Sequence, residues 1–291
     1  MSRDASTIVP EDMHVDLNIG SSERSGLERI IDATDLRIII IGKTGTGKSA
    51  TGNKILGKSI FTSGLSASSI TKTCQLGMNT RFNRTITVVD TPGLYDTDMR
   101  IEELKKEMVR GMGMTVPGPH VILLTVGIGR FTVEEYESFK HLINLFGLGI
   151  TSCIILLFTS ADVVEYKGLD IKDYVKNCPS LLHEILDLCD NRYMGFNNDL
   201  YGTREEQQVK NLIGMVDEVV HRNGGFCKIN KIFEEAIWKL LILEDEMQKK
   251  VTEEEQRKRE FHRHHNQNKL ELRIQLANNQ MFVKRDWCVT M

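Results

Sequence analysis

The chain has 291 residues, 41% hydrophobic and 26% charged, the composition of an ordinary globular protein able to bury a sizeable core. Its 37 Lys and Arg stand against 40 Asp and Glu, a net charge of −3. That excludes the basic field that drives nucleic-acid binding, so no nucleic-acid partner is expected, and it excludes an acidic disordered tail protein. No apolar run approaches the roughly 20 residues of a membrane-spanning helix.

In chain order, residues 1–34 are rich in Ser, Asp, Glu and Thr without a clear period, which reads as a disordered leader. Leu36 to Ile41 is a near-continuous β-branched run, suited to a strand buried on both faces of a parallel sheet. A glycine-rich turn follows, then a helix from about Lys48 to Leu56, stopped at Gly57. Arg84 to Val89 is the second predicted strand, Ile101 to Met112 is helical, and Val121 to Val126 is a buried strand. Thr132 and Glu135 form a T-x-x-E capping box, opening a helix that runs to Phe146. The next predicted strand is Cys153 to Phe158. Ile171 to Leu188 is helical around a break at Pro179, Arg192 to Phe196 is a short strand, and Glu205 to Val220 is a helix ended by Gly224 and Gly225. Strands alternating with helices predict an α/β fold with a mainly parallel central sheet.

Past Gly225 the residues Ile229, Phe233, Ala236, Leu240, Leu243 and Met247 fall at alternating four- and three-residue steps. This seam predicts an amphipathic C-terminal helix packing on the sheet domain, followed by a charged helical tail; a self-associating coiled coil is the alternative. The expected organisation is a leader over 1–34, an α/β domain over 35–225 and a helical extension over 226–291. The cysteines (Cys74, Cys153, Cys178, Cys189, Cys227, Cys288) show no C-x-x-C pair or metal spacing. Cys153 lies in an apolar run, where a reduced core thiol is expected. The chain therefore reads as cytoplasmic, without a disulfide framework.

The strongest chemical signal is Gly42-Lys43-Thr44-Gly45-Thr46-Gly47-Lys48-Ser49, which fits G-x-x-x-x-G-K-[ST] between a strand and a helix. Glycines let consecutive backbone N–H groups turn inward around phosphate oxygens, and the helix N-terminus adds partial positive charge. Lys48 is placed to reach the β- and γ-phosphates and Ser49 to ligate Mg2+. Asp90-Thr91-Pro92-Gly93 follows the Thr87-Val88-Val89 strand, so Asp90 faces Mg2+ through a water and the Gly93 amide faces the γ-phosphate. D-T-P-G in this order points to guanine nucleotides. Between the two motifs, Thr71 in Ser69-Ile70-Thr71-Lys72 can offer Mg2+ a hydroxyl.

Guanine readout needs a carboxylate that accepts from N1–H and the N2 amino group. Asp162, in Thr159-Ser160-Ala161-Asp162 after the Cys153–Phe158 strand, can form that fork, although the Lys of [NT]-K-x-D is absent. Asn197 and Asn198, after the Arg192–Phe196 strand, are placed to meet the base from its other side.

Leu36-Arg37-Ile38 through Ser49-Ala50-Thr51-Gly52-Asn53, then Ser69-Ile70-Thr71-Lys72, Asp90-Thr91-Pro92-Gly93-Leu94 and Gly118-Pro119-His120 resemble the GTPases of immunity-associated proteins. Gly129-Arg130-Phe131-Thr132-Val133-Glu134-Glu135 is similar to that family's own signature box, and Asn191-Arg192-Tyr193 with Asn197-Asn198 to its last nucleotide motif. The match covers about residues 35 to 225. The resemblance implies a three-layer, septin-like P-loop G domain with a helical C-terminal extension. It also implies Mg2+ with GTP or GDP as bound nucleotide, and nucleotide-dependent homodimers or homo-oligomers, related family members included. Frequent peripheral association with intracellular membranes is a further implication. It adds Ala50 and Ser63 as nucleotide contacts. Ser160 and Ala161 depart from the family, which carries Arg or His and then a polar residue there; the departure bears on base affinity more than base identity.

Phosphoryl transfer needs charge neutralisation and a positioned water. Lys48 and Mg2+ supply the first, but Leu94 stands where Ras-like enzymes carry a water-orienting Gln, so slow hydrolysis is expected. Arg130 is the candidate remedy, crossing a face-to-face dimer to the partner's γ-phosphate; a solvated loop arginine or an intramolecular ion pair is the alternative. Two function classes follow: a GTPase switch, and a GTP-stabilised membrane scaffold that hydrolyses little. A P-loop kinase of small metabolites is disfavoured by D-T-P-G. Cys288-Val289-Thr290-Met291 has the C-a-a-X form that favours farnesyl, with Lys284 and Arg285 upstream, although Thr290 is not aliphatic.

Overall fold

Six strands make one sheet in the computed structural model of the protein, which describes residues 35–64, 71–94, 100–129, 131–225, 227, 247, 249–261, 263, 267–269 and 271. They are β1 (Asp35–Gly42), β2 (Gln75–Arg81), β3 (Arg84–Asp90), β4 (Val121–Gly127), β5 (Ile154–Thr159) and β6 (Tyr193–Phe196). Their order across the sheet is β2-β3-β1-β4-β5-β6. All neighbours run parallel except β2 and β3. The helices are α1 (Lys48–Leu56), α2 (Ile101–Gly113), α3 (Val133–Phe146), α4 (Asp162–Tyr166), α5 (Ile171–Lys176), α6 (Ser180–Leu188) and α7 (Thr203–Asn223).

Successive side chains along a strand point to opposite faces, and on β3 each face meets its own helix. Val88 lies against Gly52 of α1, and Val89 against Gly111 of α2. The sheet is thus covered on both sides, which is why β1, β4 and β5 are buried almost throughout and read as unbroken apolar runs. α7 packs beside α1, and α3 against α6. Phe139, Phe146, Phe158 and Phe196 are fully buried in the resulting core, each burial contributing roughly 1.5–3 kcal/mol.

Three local features differ from the sequence expectation. The segment Gln75–Arg81 is an edge strand, joined to β3 by Phe82 and Asn83, both at positive φ (54° and 58°). Two left-handed central residues make the hairpin turn whose twist matches the strands. Cys153 closes a 3-10 turn over Leu148–Cys153, so β5 starts one residue later than predicted. A short helix begins at Asp162, where none was expected.

The expectation of no disulfide is overturned: Cys153 is bonded to Cys227, 74 residues later. Cys227 follows α7 and donates its backbone N–H to Pro119 O at 2.9 Å, which brings its thiol to the start of β5. The apolar run hid this because the partner arrives from the far end of the domain. Cys74, Cys178 and Cys189 are free thiols, and burial pushes Cys74 and Cys189 up to about 12.

At the same end of the sheet Arg37 is buried inside β1. Its guanidinium pairs with Asp35 and donates to Gly118 O at 3.0 Å, and its backbone N–H donates to His120 Nδ1 at 2.9 Å. The leader 1–34 lies outside the described residues, as does the C-terminal seam apart from Met247. Residues 249–261 are helical and exposed, with ion pairs Lys258–Glu254 at 2.9 Å and Arg259–Glu255 at 3.7 Å. No described helix is long and apolar enough to cross a membrane.

Candidate nucleotide site

The carboxyl ends of β1, β3, β4 and β5 open onto one edge of the sheet, where chain reversals leave a crevice. The loop Gly42–Gly47 leads from β1 into α1. α1 starts without a side-chain cap and without an acidic residue in its first turn, whereas α3 has both a capping box and Glu134 and Glu135. No carboxylate of its own first turn therefore competes with an anion at the N-terminus of α1. Lys48 is buried, its Nζ donating to Lys43 O at 2.9 Å across the loop. Thr46 Oγ1 donates to Lys43 O at 2.8 Å and lies 2.7 Å from Thr125 Oγ1 on β4. Lys43 itself is 3.8 Å from Glu134 at the start of α3.

β3 delivers Asp90-Thr91-Pro92-Gly93 against this loop. Leu94 N–H donates to Gly42 O at 3.1 Å, and Thr91 Oγ1 to Ile40 O at 2.8 Å. A Cβ at Gly93 would overlap the Thr44 hydroxyl and stand 2.7 Å from the Thr44 amide nitrogen, so only glycine permits this approach. Ser49 Oγ donates to Asp90 Oδ2 at 2.6 Å and Thr71 Oγ1 to the same oxygen at 3.2 Å. Three groups from α1, the segment before β2, and β3 therefore converge on one point.

Asp90 is fully buried, and its other oxygen, Oδ1, has no hydrogen-bond partner. Burial raises its pKa, while the Ser49 hydrogen bond, the Lys48 charge and the Thr71 hydrogen bond pull the other way. A buried carboxylate with one unanswered oxygen, beside two hydroxyls, suits a hard divalent cation. No cluster of three or more His, Cys, Asp or Glu stands among the described residues. Mg2+ takes one or two protein ligands, waters and substrate phosphates. The residues present fit the ion: Ser49, Thr71 and Asp90 can hold it, directly or through water.

On the base side, Ser160 is exposed with φ 60°, turning the chain between β5 and α4. Ala161 is buried, and a Cβ at Gly195 would sit 3.1 Å from its methyl. A small residue is needed there for β6 to approach. Asp162 opens α4 half-exposed. Asn197 is buried, its Oδ1 accepting from Asp199 N–H at 2.8 Å. Its backbone is held from both sides by Gln208 of α7, which accepts from Asn197 N–H at 2.9 Å and donates to Asn197 O at 3.0 Å. Asn198 pairs with Thr51 of α1 at 3.2 Å.

Ser49, Thr71 and Asp90 are thus brought together beside the Gly42–Gly47 loop, and Asn198 reaches Thr51 and Gly47. Ser63 is exposed on the segment after α1, and no described contact ties it to that crevice. Arg130 and Cys288 lie outside the described residues. Sequence reasoning missed the bracing role of Gln208 and the Lys43–Glu134 pair. Both join residues distant in sequence, and no local pattern marks them.

The AIG1 family model matches residues 36–273. The chain belongs to the AIG1 family. Immune-associated nucleotide-binding protein 9 of Arabidopsis thaliana is 36% identical over 219 residues, 74% of this chain and 64% of that protein. Immune-associated nucleotide-binding protein 3 of the same plant is 36% identical over 192 residues, 65% of this chain and 58% of that protein. The AIG1 chain thus spans about three fifths of the length of the curated relatives it matches.

Among solved structures, Toc33 from Arabidopsis thaliana in complex with GDP and Mg2+ superposes with a TM-score of 0.53 at 18% identity. The match covers 71% of this chain and 92% of that one. At that identity the likeness shows the fold, a P-loop G domain, as the motif order led one to expect. Both plant relatives are named as nucleotide-binding proteins.

Proposed function

We propose that this AIG1 protein is a guanine-nucleotide switch that binds Mg2+ with GTP or GDP, dimerises through its G domain and hydrolyses GTP slowly. The observation that carries the reading is the convergence of Ser49, Thr71 and Asp90 beside the Gly42–Gly47 loop. In this reading the loop amides and the α1 N-terminus bind the phosphates, and Lys48 swings from Lys43 O to the β- and γ-oxygens. Mg2+, when bound, neutralises charge on those oxygens. Gly93 turns with the γ-phosphate, and its close packing on Thr44 makes any such turn felt by the phosphate loop. Ala50 and Ser63 add contacts to the nucleotide, and Asp162, with Ser160, Ala161, Asn197 and Asn198, reads guanine.

The residue after Gly93 does not orient water: Leu94 is apolar, half-buried and hydrogen-bonded through its amide to Gly42. Arg130 of a second copy then supplies the missing positive charge in trans. Dimerisation is important for the GTPase activity of the chloroplast translocon components atToc33 and psToc159, which share the fold and lend this pairing support. Turnover per molecule should rise with protein concentration, and Arg130→Ala should remove the rise while sparing GDP affinity. A flat concentration dependence in the unaltered protein overturns the trans mechanism.

The same Leu94 favours a second reading, a GTP-stabilised scaffold with negligible hydrolysis, peripheral on intracellular membranes from the cytoplasmic side and anchored by a farnesyl group on Cys288. Co-purified nucleotide separates the two: GDP indicates turnover, GTP indicates the scaffold. An adenine nucleotide would sink both.

A further inference from the structure

We infer that Tyr174 of α5 is a positioning residue for the loop that carries Arg130; the inference rests on the proposed trans role of that arginine. The loop between β4 and α3 is exposed at Gly129, and a Cβ there would meet nothing within 4 Å. Packing therefore does not hold this residue. One phenol does: Gly129 N–H donates to Tyr174 Oη at 3.1 Å, and Tyr174 Oη donates to Gly129 O at 3.0 Å. A hydroxyl has one proton and two lone pairs, so both bonds form at once. They answer the donor and the acceptor of a single residue, which clamps the peptide planes on either side of it.

The residues around the clamp are fixed too. Ile128 N–H donates to Thr159 O at 3.1 Å. Phe131 is buried and lines one small cavity with Gly42, Lys43, Leu94 and Thr125. Thr132 donates from both its amide, at 2.8 Å, and its hydroxyl, at 2.9 Å, to Glu135. Gly129 and Phe131 are thus each anchored, Gly129 by Tyr174. The Tyr174 ring is itself set edge-on to Phe158, centroids 5.7 Å apart. Phe158 sits on β5, two residues before Ser160, so the clamp stands on the strand that also carries the base-side turn. A charge meant to cross to another molecule loses entropy on docking, and a preset loop reduces that loss.

Tyr174→Phe keeps the ring on Phe158 and deletes both hydrogen bonds. In the full chain with GTP, turnover at saturating protein should fall about tenfold, while turnover of dilute protein and affinity for GDP stay unchanged. Placed on Arg130→Ala, the same substitution should cost nothing further, because its effect acts through that arginine. Hydrogen exchange across 127–132 should accelerate. If the unaltered protein shows concentration-dependent turnover and Tyr174→Phe leaves it intact, the inference is wrong; it is equally wrong if the two substitutions add. If the unaltered protein shows no concentration dependence, it is the trans mechanism that has failed. The exchange measurement then decides the clamp: faster exchange keeps it, unchanged exchange removes it.

Discussion

The Asn198 side-chain amide and the Thr51 hydroxyl lie 3.2 Å apart, so the loop after β6 is hydrogen-bonded to the first turn of the phosphate-loop helix. The two residues are 147 positions apart in sequence. This tie presses Asn198 against Gly47, where a Cβ would stand 2.9 Å from Asn198 Nδ2. Gly47 also has φ 79°, a left-handed conformation that costs a side-chain-bearing residue about 1–2 kcal/mol. Gly47→Ala is therefore expected to lower stability by at least that amount and to abolish GDP binding. Adding Asn198→Ala should recover only the steric part. Chemical denaturation of the four proteins of this double-mutant cycle measures both shares.

Asp90 carries an unpartnered buried oxygen, an arrangement that serves a ligand better than the fold. Asp90→Asn removes the buried charge and should leave the nucleotide-free protein as stable as before, or more so. The same change should cut the Mg2+ contribution to GDP affinity by about 10- to 100-fold. Fluorescent-GDP titrations with and without Mg2+, beside melting curves, check both halves. A large loss of stability would show that Asp90 is chiefly structural.

The parts of this molecule that were legible in advance share one property: their physical cause is local. The left-handed residues at Gly47 and Gly57 bracket α1, and helix Lys48–Leu56 was read with both ends correct. The Thr132–Glu135 capping box placed the start of α3 for the same reason. β2 was missed because Gln75–Arg81 has one buried position and almost no β-branched residues; its strand character comes from pairing with β3. The Cys153–Cys227 bond, the Gln208 brace on Asn197 and the Tyr174 clamp on Gly129 join positions brought together by the sheet order. Spacing along the chain gives no sign of them. In the site, the phosphate side was read residue by residue from a contiguous motif. The base side, split between the ends of β5 and β6, was read only in outline.

The disulfide closes a loop of 74 residues around β5, β6 and α7. In the chain-entropy account a loop of that length confers about 4 kcal/mol. Cys227→Ser, or a dithiol reductant, should shift the denaturation midpoint down by that order. Nucleotide affinity should not change, because the bond lies at the end of the sheet opposite the phosphate loop. A midpoint insensitive to reductant and to the substitution would mean that the bond adds nothing to the native state.

His120 is buried at that same far end, and its pKa falls from 6.5 to about 3, through burial first and then the charges of Arg37 and Arg84. Its Nδ1 accepts the Arg37 backbone N–H at 2.9 Å and its Nε2 lies 3.2 Å from Arg37 Nη2, surroundings that favour the neutral ring. The unfolded chain takes up a proton near pH 6.5 that the folded chain refuses until about pH 3. The contribution of this group to stability is therefore complete above pH 6.5 and is lost as pH falls toward 3. While the unfolded histidine is charged and the folded one neutral, the loss runs at about 1.4 kcal/mol per pH unit. His120→Asn offers the Arg37 amide an oxygen in the place of Nδ1 and cannot titrate. Its stability should fall more gently than that of the unaltered protein between pH 6.5 and 5, by the equivalent of one proton. Urea denaturation across that window, before most carboxylates begin to protonate, measures the difference; parallel curves would mean that His120 takes up its proton without unfolding.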